Sequence, residues 1–195
     1  MGSQQYEVQL HGPYRWYGKK DECLFRASEA TKSGIYLWTI PFNRKYLTYY
    51  VGETGRSFKA RFTEHTRDYL YGLYRVYDPI PFAQGRKKLV WEGMWQSGTR
   101  DRVDEFLNRY LDLSPAVYSL LGKLRIFLAP LDAEKRIRQR IEGSLAWRLQ
   151  QHSDLSRNFF DSGIRYLTKQ ADEPPIHVTI ISKECVLGLP HKLTA

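Results

Sequence analysis

Five side chains that could take part in chemistry follow one another along the chain: Tyr36, Tyr50, Arg61, His65 and Glu142. A phenol, an imidazole and a carboxylate can transfer protons, and a guanidinium can stabilise an anion. Arg61 and His65 are four residues apart, so on a helix their side chains are neighbours. Each residue alone also has an ordinary explanation, since a strand tyrosine usually packs in the core and Glu142 could pair with Arg138.

The spacing of the other acidic, histidine and cysteine residues disfavours several kinds of site. No cluster of Asp and Glu converges in the expected strands or helices, as a two-metal hydrolase would require. The five histidines are scattered and form no HExxH pair, which argues against a zinc hydrolase. Cys23 and Cys185 lie far apart and indicate neither a disulfide framework nor a zinc site. A reducing, cytoplasmic setting is the default expectation.

A β-hairpin is expected to carry the two tyrosines. The β-branched and aromatic run 34–40 predicts a strand that ends at Pro41, and the run 46–51 predicts a second strand that Gly52 closes. Residues 42–45 form the expected turn between them.

A helix over residues 58 to about 73 should follow the hairpin, with Ser57 as its N-cap. Its aromatic residues, among them Phe62, fall on one face and are expected to pack in the core. His65 lies at the edge of this face and Arg61 on its flank. The helix would therefore present both polar side chains beside the hairpin.

A longer helix is predicted over residues 133–150, with Asp132 as its cap. Apolar residues spaced by four form its buried stripe, and Glu142 falls at the margin of that stripe. Arg136 and Arg140 are expected to face away from the core, where they would meet solvent or phosphate.

The rest of the chain predicts strands at 6–10, 123–128 and 176–182, a turn at Gly12-Pro13, a helix at 100–111 capped by Thr99, and a loop at 154–160. This order of elements is typical of an α/β (α+β) domain with a small, mainly antiparallel, three-stranded central sheet flanked by helices. We expect an N-terminal extension over 1–32 and a core domain over 33–160 with an inserted element at about 71–122. A C-terminal extension over 161–195 should pack on the same domain.

Composition narrows the class of partner. The chain has 195 residues and a formal charge of +9, from 30 Lys and Arg against 21 Asp and Glu. Its hydrophobic content of 42% can offset the entropy of ordering, and no apolar run approaches the ~18 residues of a membrane span. The charge favours a polyanionic partner, because Lys and Arg neutralise phosphates. The lack of a long apolar run predicts no membrane partner. A basic protein without such a partner is the alternative.

Two short motifs carry a resemblance to a known family. The triplet Gly-Ile-Tyr at 34–36 and the triplet Tyr-Val-Gly at 50–52, separated by thirteen residues, resemble the signature of the GIY-YIG nuclease superfamily. The same pattern continues in order with Arg61, His65, Glu142 and Asn158. The resemblance covers residues 33–160 and implies a divalent-metal-dependent endonuclease that leaves 5′ phosphates on DNA.

The resemblance also implies a role for each matching residue. Tyr36, supported by Tyr50, would be the general base that activates water, although a tyrosine pKa of about 10 means that neighbouring cations must help it. Arg61 would stabilise charge on the phosphoryl oxygens, and His65 would share the base's work or orient it. Glu142 would hold one Mg²⁺, with Mn²⁺ as a substitute, on a phosphate oxygen and the leaving 3′ oxygen.

The remaining features include one further match and two departures from the family pattern. Asn158 would fix a nearby backbone or phosphate contact. Glu53 stands where many relatives have lysine, and would either weaken phosphate attraction or add a second metal contact. The inserted element interleaves cations with aromatics, at Arg75, Arg86, Lys87, Lys88, Trp91 and Trp95. Such a pattern is typical of a nucleic-acid-contacting surface and equally of a satellite core with a solvated rim.

Double-stranded DNA is the expected partner. Phosphate contacts are expected from Arg56, Lys59, Arg67, Arg86, Lys87, Lys88, Arg136 and Arg140. The absence of an obvious second DNA-binding module favours a stand-alone, sequence-specific enzyme of the restriction type, and a palindromic target would imply a homodimer. The alternatives are a structure-specific repair or mobile-element nuclease, a non-catalytic nucleic-acid-binding module of the same fold, and an enzyme that acts on RNA.

Overall fold

The computed structural model describes residues 4–95, 101–161 and 164–195. Within them the strands are β1 (Gln4–Arg15), β2 (Gly34–Phe42), β3 (Lys45–Thr54), β4 (Val76–Tyr77), β5 (Leu89–Trp91), β6 (Arg125–Pro130), β7 (Ile176–Ser182) and β8 (Lys192–Thr194). The helices are α1 (Phe58–Leu70), α2 (Pro79–Phe82), α3 (Val103–Asn108), α4 (Tyr110–Lys123), α5 (Lys135–Gln150) and α6 (Asp154–Phe159).

Six of these strands form one sheet, in the order β3-β2-β6-β1-β7-β8. Neighbouring strands are antiparallel except for β1 and β7, which pair in parallel. The α+β class is as expected, but the prediction of a three-stranded sheet is wrong. The β3-β2-β6 core is present, and it is extended by β1 from the segment 1–32 and by β7 and β8 from the segment 161–195. Local sequence patterns do not reveal this pairing, because it joins segments from opposite ends of the chain.

The sheet is covered on both faces, and strand β2 shows why. Tyr36 and Trp38 belong to an apolar cluster with α1, α4 and the inserted element. Ile35 and Leu37 belong to a second cluster with α5. Trp16, from the N-terminal segment, packs edge-on against Trp38 with ring centroids 5.1 Å apart. The central strand is therefore apolar on both sides, and α1 and α5 lie on opposite faces of it.

Helices α1 and α5 lie where their periodicity predicts them. Ser57 caps α1 with its side chain, as expected. Glu134 precedes α5 without a side-chain cap, so the prediction of Asp132 as the cap is wrong. The loop predicted at 154–160 is also wrong, because α6 lies there and Ser153 caps it. None of the helices in the described ranges is long and apolar enough to cross a membrane.

The inserted element contains more helix than its pattern predicts. In place of one helix over 100–111, α3 and α4 follow each other with a break at Arg109, and α4 continues through Pro115. Proline removes one helix hydrogen bond, so its presence is usually a sign against a helix. Thr99 and Arg100, the predicted cap and first residue, lie outside the described residues.

The two tryptophans of the inserted element differ in burial. Trp91 is buried against Phe106, with ring centroids 5.5 Å apart, and Arg102 lies 4.6 Å over its ring. Trp95 is 64% exposed. Trp91 thus belongs to the main apolar cluster on the α1 face of the sheet, whereas Trp95 belongs to the surface.

The N-terminal strand is longer than expected. The turn predicted at Gly12-Pro13 is wrong, since β1 continues through it. The register of β1 against β6 shifts between His11 and Tyr14, which is typical of a β-bulge. A bulge allows the strand to keep its pairing on both sides of the Gly-Pro pair.

Candidate active site

The two sequence triplets lie side by side in the β2–β3 hairpin, and their glycines make room for Tyr36. Tyr36 lies directly opposite Gly52. A Cβ atom at position 52 would stand 2.3 Å from Cζ of Tyr36, so only glycine accommodates the ring. Gly34 has a φ of +149°, and a Cβ atom there would stand 2.2 Å from the carbonyl oxygen of Ala129. Both glycines therefore position Tyr36 and contribute no chemical group.

Helix α1 carries Arg61 and His65 against this hairpin. Phe62 packs edge-on against Tyr36 with ring centroids 5.1 Å apart, which holds the helix on the sheet. His65 lies one turn after Arg61 and is 2% exposed. The position of His65 at the edge of the core-facing side of α1 predicts partial exposure. Its ring is instead buried, because Trp38 packs edge-on against it with ring centroids 4.8 Å apart.

The hydroxyl oxygen of Tyr36 is the centre of a hydrogen-bonded group. It lies 2.9 Å from Nε2 of His65 and accepts a hydrogen bond of 3.3 Å from Nε of Arg61. Tyr50 lies beside it, with the two ring centroids 5.9 Å apart. Tyr36 itself has no exposed surface. Three of the predicted site residues thus meet at one oxygen atom with Tyr50 next to them, and we call the four the Tyr36 group.

Each ring nitrogen of His65 has a tyrosine hydroxyl as its partner. Nε2 is 2.9 Å from the Tyr36 oxygen, and Nδ1 is 3.0 Å from the Tyr74 oxygen. A neutral imidazole carries one N–H proton, so it donates to one hydroxyl and accepts from the other. In the tautomer with the proton on Nδ1, His65 donates to Tyr74 and Tyr36 donates to Nε2. Burial and the nearby Asp68 raise the pKa of Tyr74, so that residue is a phenol at neutral pH.

Burial sets the protonation states in this group. Desolvation raises the pKa of Tyr36, and the charge and hydrogen bond of Arg61 offset that rise only in part. Desolvation also lowers the pKa of His65 well below its usual value, and the charge of Arg61 adds to the effect. At neutral pH Tyr36 is a phenol and His65 a neutral imidazole that can accept a proton. Arg61 helps Tyr36 as the sequence suggests, but desolvation outweighs that help.

Glu142 approaches this region from α5, beside the edge strand β3. Burial and the neighbouring Glu53 carboxylate raise the pKa of Glu142 to about 8. Its charge acts on both Tyr36 and Tyr50. The pairing of Glu142 with Arg138 does not occur, since Nε of Arg138 bonds to Oε2 of Glu53 at 2.9 Å. Within the described residues Glu142 has no ion pair, and the charge of Arg61 and a backbone hydrogen bond at Glu53 offset the rise of its pKa only in part.

A single divalent cation would suit the Glu142 carboxylate. Glu142 and Glu53 lie close enough to raise the pKa of Glu142, and only Glu53 has an arginine partner. A cation would counter both the repulsion and the burial. Mg²⁺ is usually held by one or two carboxylates, with water and substrate phosphate completing its shell. No group of three or more His, Cys, Asp or Glu that could hold a metal occurs in 4–95, 101–161 and 164–195.

The basic side chains expected to contact DNA differ in exposure. The exposed ones are Arg56, Lys59, Arg67, Arg86 and Lys88. Arg56 also pairs with Glu64 at 2.6 Å. Lys87 is half-buried and donates to the carbonyl oxygen of Phe160 at 2.8 Å, so its ammonium group is already used inside the protein.

The two arginines expected to face outward from α5 are held by the C-terminal segment. Arg140 is 2% exposed and donates to the carbonyl oxygens of Pro174 at 2.6 Å and Ala195 at 2.7 Å. The expectation that it faces solvent or phosphate is therefore wrong. Arg136 is only partly exposed and forms two hydrogen bonds of 2.6 Å to Glu173. The sequence could not show this, because β7 and β8 cover the helix face from far along the chain.

Asn158 is the predicted site residue that the structure does not bring to the Tyr36 group. It is exposed on α6, and among the described residues it forms no side-chain hydrogen bond with that group.

Two residues beside the Tyr36 group, Asp68 and Tyr74, were not among the predicted site residues. Asp68 follows His65 by three residues on α1, so helical spacing could have found it. Tyr74 lies beyond the end of the helix, and no pattern signals its position.

A cavity of about 250 Å³ opens beside the Tyr36 group. Tyr50, Arg61 and His65 contribute to one part of its wall, and the inserted element contributes Tyr74 and Trp95. The polar group and the cavity together form a concave surface at the edge of the sheet.

The arrangement combines a proton acceptor, a phenol, a guanidinium and a carboxyl group without an ion-pair partner among the described residues. Such a set can deprotonate water, stabilise an oxyanion and hold a cation. Comparison with protein-family models, with curated proteins and with solved structures finds no match to this chain. The functional assignment therefore depends on the geometry of the Tyr36 group and on its residues.

Proposed function

We propose that this protein is a divalent-metal-dependent endonuclease of the GIY-YIG type that hydrolyses phosphodiester bonds in double-stranded DNA. The observation that carries the proposal is the meeting of Tyr36, His65 and Arg61 at one hydroxyl oxygen, with Glu142 within electrostatic reach. These four residues are the ones that match the order of the family's pattern. A role in packing alone would not require an arginine and a histidine on a buried phenol.

The first step proposed is proton transfer from water through Tyr36 to His65. A water molecule bound at the Tyr36 oxygen would give its proton to that oxygen, while Tyr36 passes its own proton to Nε2 of His65. The water oxygen then bonds to phosphorus as the bond between phosphorus and the 3′ oxygen breaks, and the leaving 3′ oxygen takes a proton from solvent. His65 is suited to this role in the tautomer whose Nε2 is unprotonated, with Tyr74 holding Nδ1 on the opposite side of the ring.

Arg61 has two tasks in this proposal. Its Nε donates to the Tyr36 oxygen, which stabilises negative charge there during proton transfer. Its Nη1 pairs with Glu64. Because the Arg61 side chain is partly exposed, a substrate phosphate could replace Glu64 and receive a charge-assisted hydrogen bond.

Glu142 is the residue that would hold the metal. When bound, Mg²⁺ or Mn²⁺ would polarise a phosphate oxygen and stabilise the leaving 3′ oxygen. Glu53 is kept in place by Arg138 and so adds negative potential beside Glu142. The departure from lysine at position 53 is thus compatible with cation binding.

The wider role proposed is that of a stand-alone, sequence-specific restriction-type enzyme. The exposed Lys59 and Arg67 on α1 would contact the DNA backbone near the Tyr36 group. One active site cuts one strand, so a palindromic site would require a homodimer.

A non-catalytic nucleic-acid-binding module is the second candidate. The observation that favours it is the complete burial of Tyr36, because a general base must be reached by water. The two candidates differ in whether any phosphodiester bond is cut.

Cleavage of supercoiled plasmid in Mg²⁺ or Mn²⁺ tests the proposal. We expect the wild-type protein to nick or linearise the plasmid, and Glu142→Gln to lose this activity at every Mg²⁺ concentration. Glu184→Gln is the matched control, because Glu184 is exposed. Discrete fragments would support sequence specificity, and cutting only at junctions would support a repair role.

Two results would contradict the nuclease proposal. If the wild-type protein binds DNA but cuts no form of it in either metal, the binding module is correct. If Glu142→Gln and Glu184→Gln cut equally well, Glu142 does not hold the metal.

A further inference from the structure

The cavity beside the Tyr36 group has walls that phosphate binding does not explain. Six of its thirteen lining residues are tyrosines or tryptophans: Trp38, Tyr49, Tyr50, Tyr69, Tyr74 and Trp95. Two carboxylates, those of Asp161 and Glu92, also line it. Carboxylates repel phosphate, and aromatic rings favour a flat, largely apolar group. The cavity therefore suits another part of a nucleic acid.

Asp161 provides a fixed hydrogen-bond acceptor in this cavity. Its backbone N–H donates to the carbonyl oxygen of Tyr49 at 2.7 Å, which fixes its position. Burial raises the pKa of its carboxyl group, and the charges of Arg75 and Lys87 and the Tyr49 hydroxyl lower that pKa. A carboxylate has about four acceptor sites, so Asp161 can still accept an N–H group from a ligand.

Trp38 lines the same cavity and carries a candidate donor. Its side chain is buried, and within the described residues its indole Nε1 has no hydrogen-bond partner. A buried indole N–H normally has one, so a ligand acceptor would satisfy it once the Trp38 ring turns its N–H towards the cavity. A donor and an acceptor among aromatic walls are complementary to the hydrogen-bonding edge of a nucleobase.

The size and position of the cavity fit a single base. Its volume of about 250 Å³ is below the about 300 Å³ at which pockets for drug-sized ligands begin. Arg61 and His65 belong both to its wall and to the Tyr36 group. A base in the cavity would therefore be attached to a sugar whose phosphate lies near Arg61. Trp95 is 64% exposed and can stack on that base.

We propose that the cavity binds one nucleobase with an exocyclic amino group, turned out of the DNA stack beside the scissile phosphate. This inference rests on the proposed nuclease function, which supplies the phosphodiester at the Tyr36 group. Asp161 accepts from the amino group, Trp38 donates to a ring nitrogen or carbonyl, and Trp95 stacks on the ring. The base so held sets where along a strand the enzyme cuts.

Calorimetric titration with dCMP, dUMP and deoxyribose 5-phosphate tests the base site. The two nucleotides differ at the position of the amino group, and the sugar phosphate has no base. We expect dCMP to bind at least about fivefold more tightly than dUMP and at least about tenfold more tightly than the sugar phosphate. Asp161→Asn should abolish the preference for dCMP.

Trp95 offers a variant whose folding is not in question, with a matched control. Trp95→Leu should weaken dCMP binding at least about tenfold. Trp147→Leu should leave it unchanged, because Trp147 is equally a surface tryptophan, 60% exposed on α5. The inference is overturned if dCMP does not bind at millimolar concentration, if dUMP binds as tightly as dCMP, or if the two tryptophan variants behave alike.

The base site and the nuclease function can fail separately. If plasmid is cut but dCMP does not bind, the base site alone is wrong. If dCMP binds with the expected preferences but no plasmid is cut, the nuclease proposal fails and the cavity is a nucleotide-binding site.

Discussion

Two basic helices pack on opposite faces of the same sheet and use their charge differently. On α1, Lys59 and Arg67 are exposed, and Arg61 bonds to the hydroxyl oxygen of Tyr36. The positive charge of α1 is therefore directed towards solvent and towards a polar group beside a cavity.

On α5 three of the four arginines are bound by the protein itself. Arg138 pairs with Glu53, and Arg136 pairs with Glu173. Arg140 is buried against backbone carbonyls of the C-terminal segment, and only the fourth, Arg148, is exposed. The half-buried Glu142 of the same helix has no ion pair among the described residues.

The difference shows that basic composition alone does not locate a nucleic-acid surface. Arginines at helical spacing occur in both α1 and α5, but tertiary contacts decide which of them remain available. The formal charge of +9 counts the α5 guanidiniums, although three of them are neutralised or buried inside the fold. The positive electrostatic potential that attracts DNA is expected to come mainly from the exposed side chains of α1.

The largest effect should come from removing an α5 arginine that is buried. Arg140→Ala removes two charge-assisted hydrogen bonds of a buried guanidinium, to the backbone oxygens of Pro174 and Ala195, so the free energy of unfolding should fall by about 3–5 kcal/mol. Urea denaturation measures this change. Arg67→Ala, at an exposed site on α1, should change it by less than about 0.5 kcal/mol. Equal stability of the two variants would mean that the α5 arginines have no structural role.

A reverse pattern is expected for activity on the α1 side. Arg61→Ala should slow plasmid cleavage by about 10²–10³-fold, because it removes a donor to the Tyr36 oxygen and to the reacting phosphate. Its free energy of unfolding should change far less than that of Arg140→Ala, since the Arg61 side chain is partly exposed. Initial cleavage rates and urea denaturation of the same preparations separate the two effects. If Arg61→Ala lowers the free energy of unfolding strongly but leaves the cleavage rate unchanged, Arg61 has a structural role and not a catalytic one.

The salt dependence of DNA binding should show a smaller difference between variants of α1 and variants of α5. Lys59→Ala and Arg67→Ala should each reduce the slope of log affinity against log salt by about 0.9, because each removes one phosphate contact. Arg136→Ala should leave the slope unchanged, since Glu173 already neutralises Arg136. Fluorescence anisotropy of a labelled duplex at several salt concentrations measures the slopes. A change with Arg136→Ala alone would place the DNA on the α5 side.

The smallest effect concerns the pH dependence of the α5 ion pair. Arg136 holds the pKa of Glu173 at about 2, below its ordinary value of 4.5. Because the pKa is lower in the folded state, the stabilisation is present above about pH 4.5 and is lost as the pH falls towards 2. The stability difference between wild type and Glu173→Gln should therefore shrink between pH 6 and pH 2. The same comparison with Glu184→Gln should show no such change.

Elements with strong local patterns could be predicted from the sequence. The β-branched and aromatic strands of the hairpin and the periodic helices α1 and α5 occur where expected, because their local composition and the repeat of their core contacts identify the element. The positions of Tyr36, Arg61 and His65 followed from these elements, since two come from one helix and one from the strand packed beneath it.

Features that depend on long-range pairing could not be predicted. The parallel pairing of β1 with β7 requires contacts between opposite ends of the chain, and the burial of Arg140 is a consequence of it. Tyr74 reaches His65 because the chain turns back after α1, which no periodicity indicates. Helix α6 has only six residues, too few for a helical period to be recognised.

The most direct test of the proposed site is a double-mutant measurement on Tyr36 and His65. Single-turnover cleavage of supercoiled plasmid in Mg²⁺ would be compared for wild type, Tyr36→Phe, His65→Ala and the double variant. Each single change should slow cleavage by about 10²–10⁴-fold, and the double variant should be no slower than the slower single variant, because the two residues pass one proton between them. If the two effects multiply, or if Tyr36→Phe cuts as fast as the wild-type protein, the bond between Tyr36 and His65 is not the proton pathway.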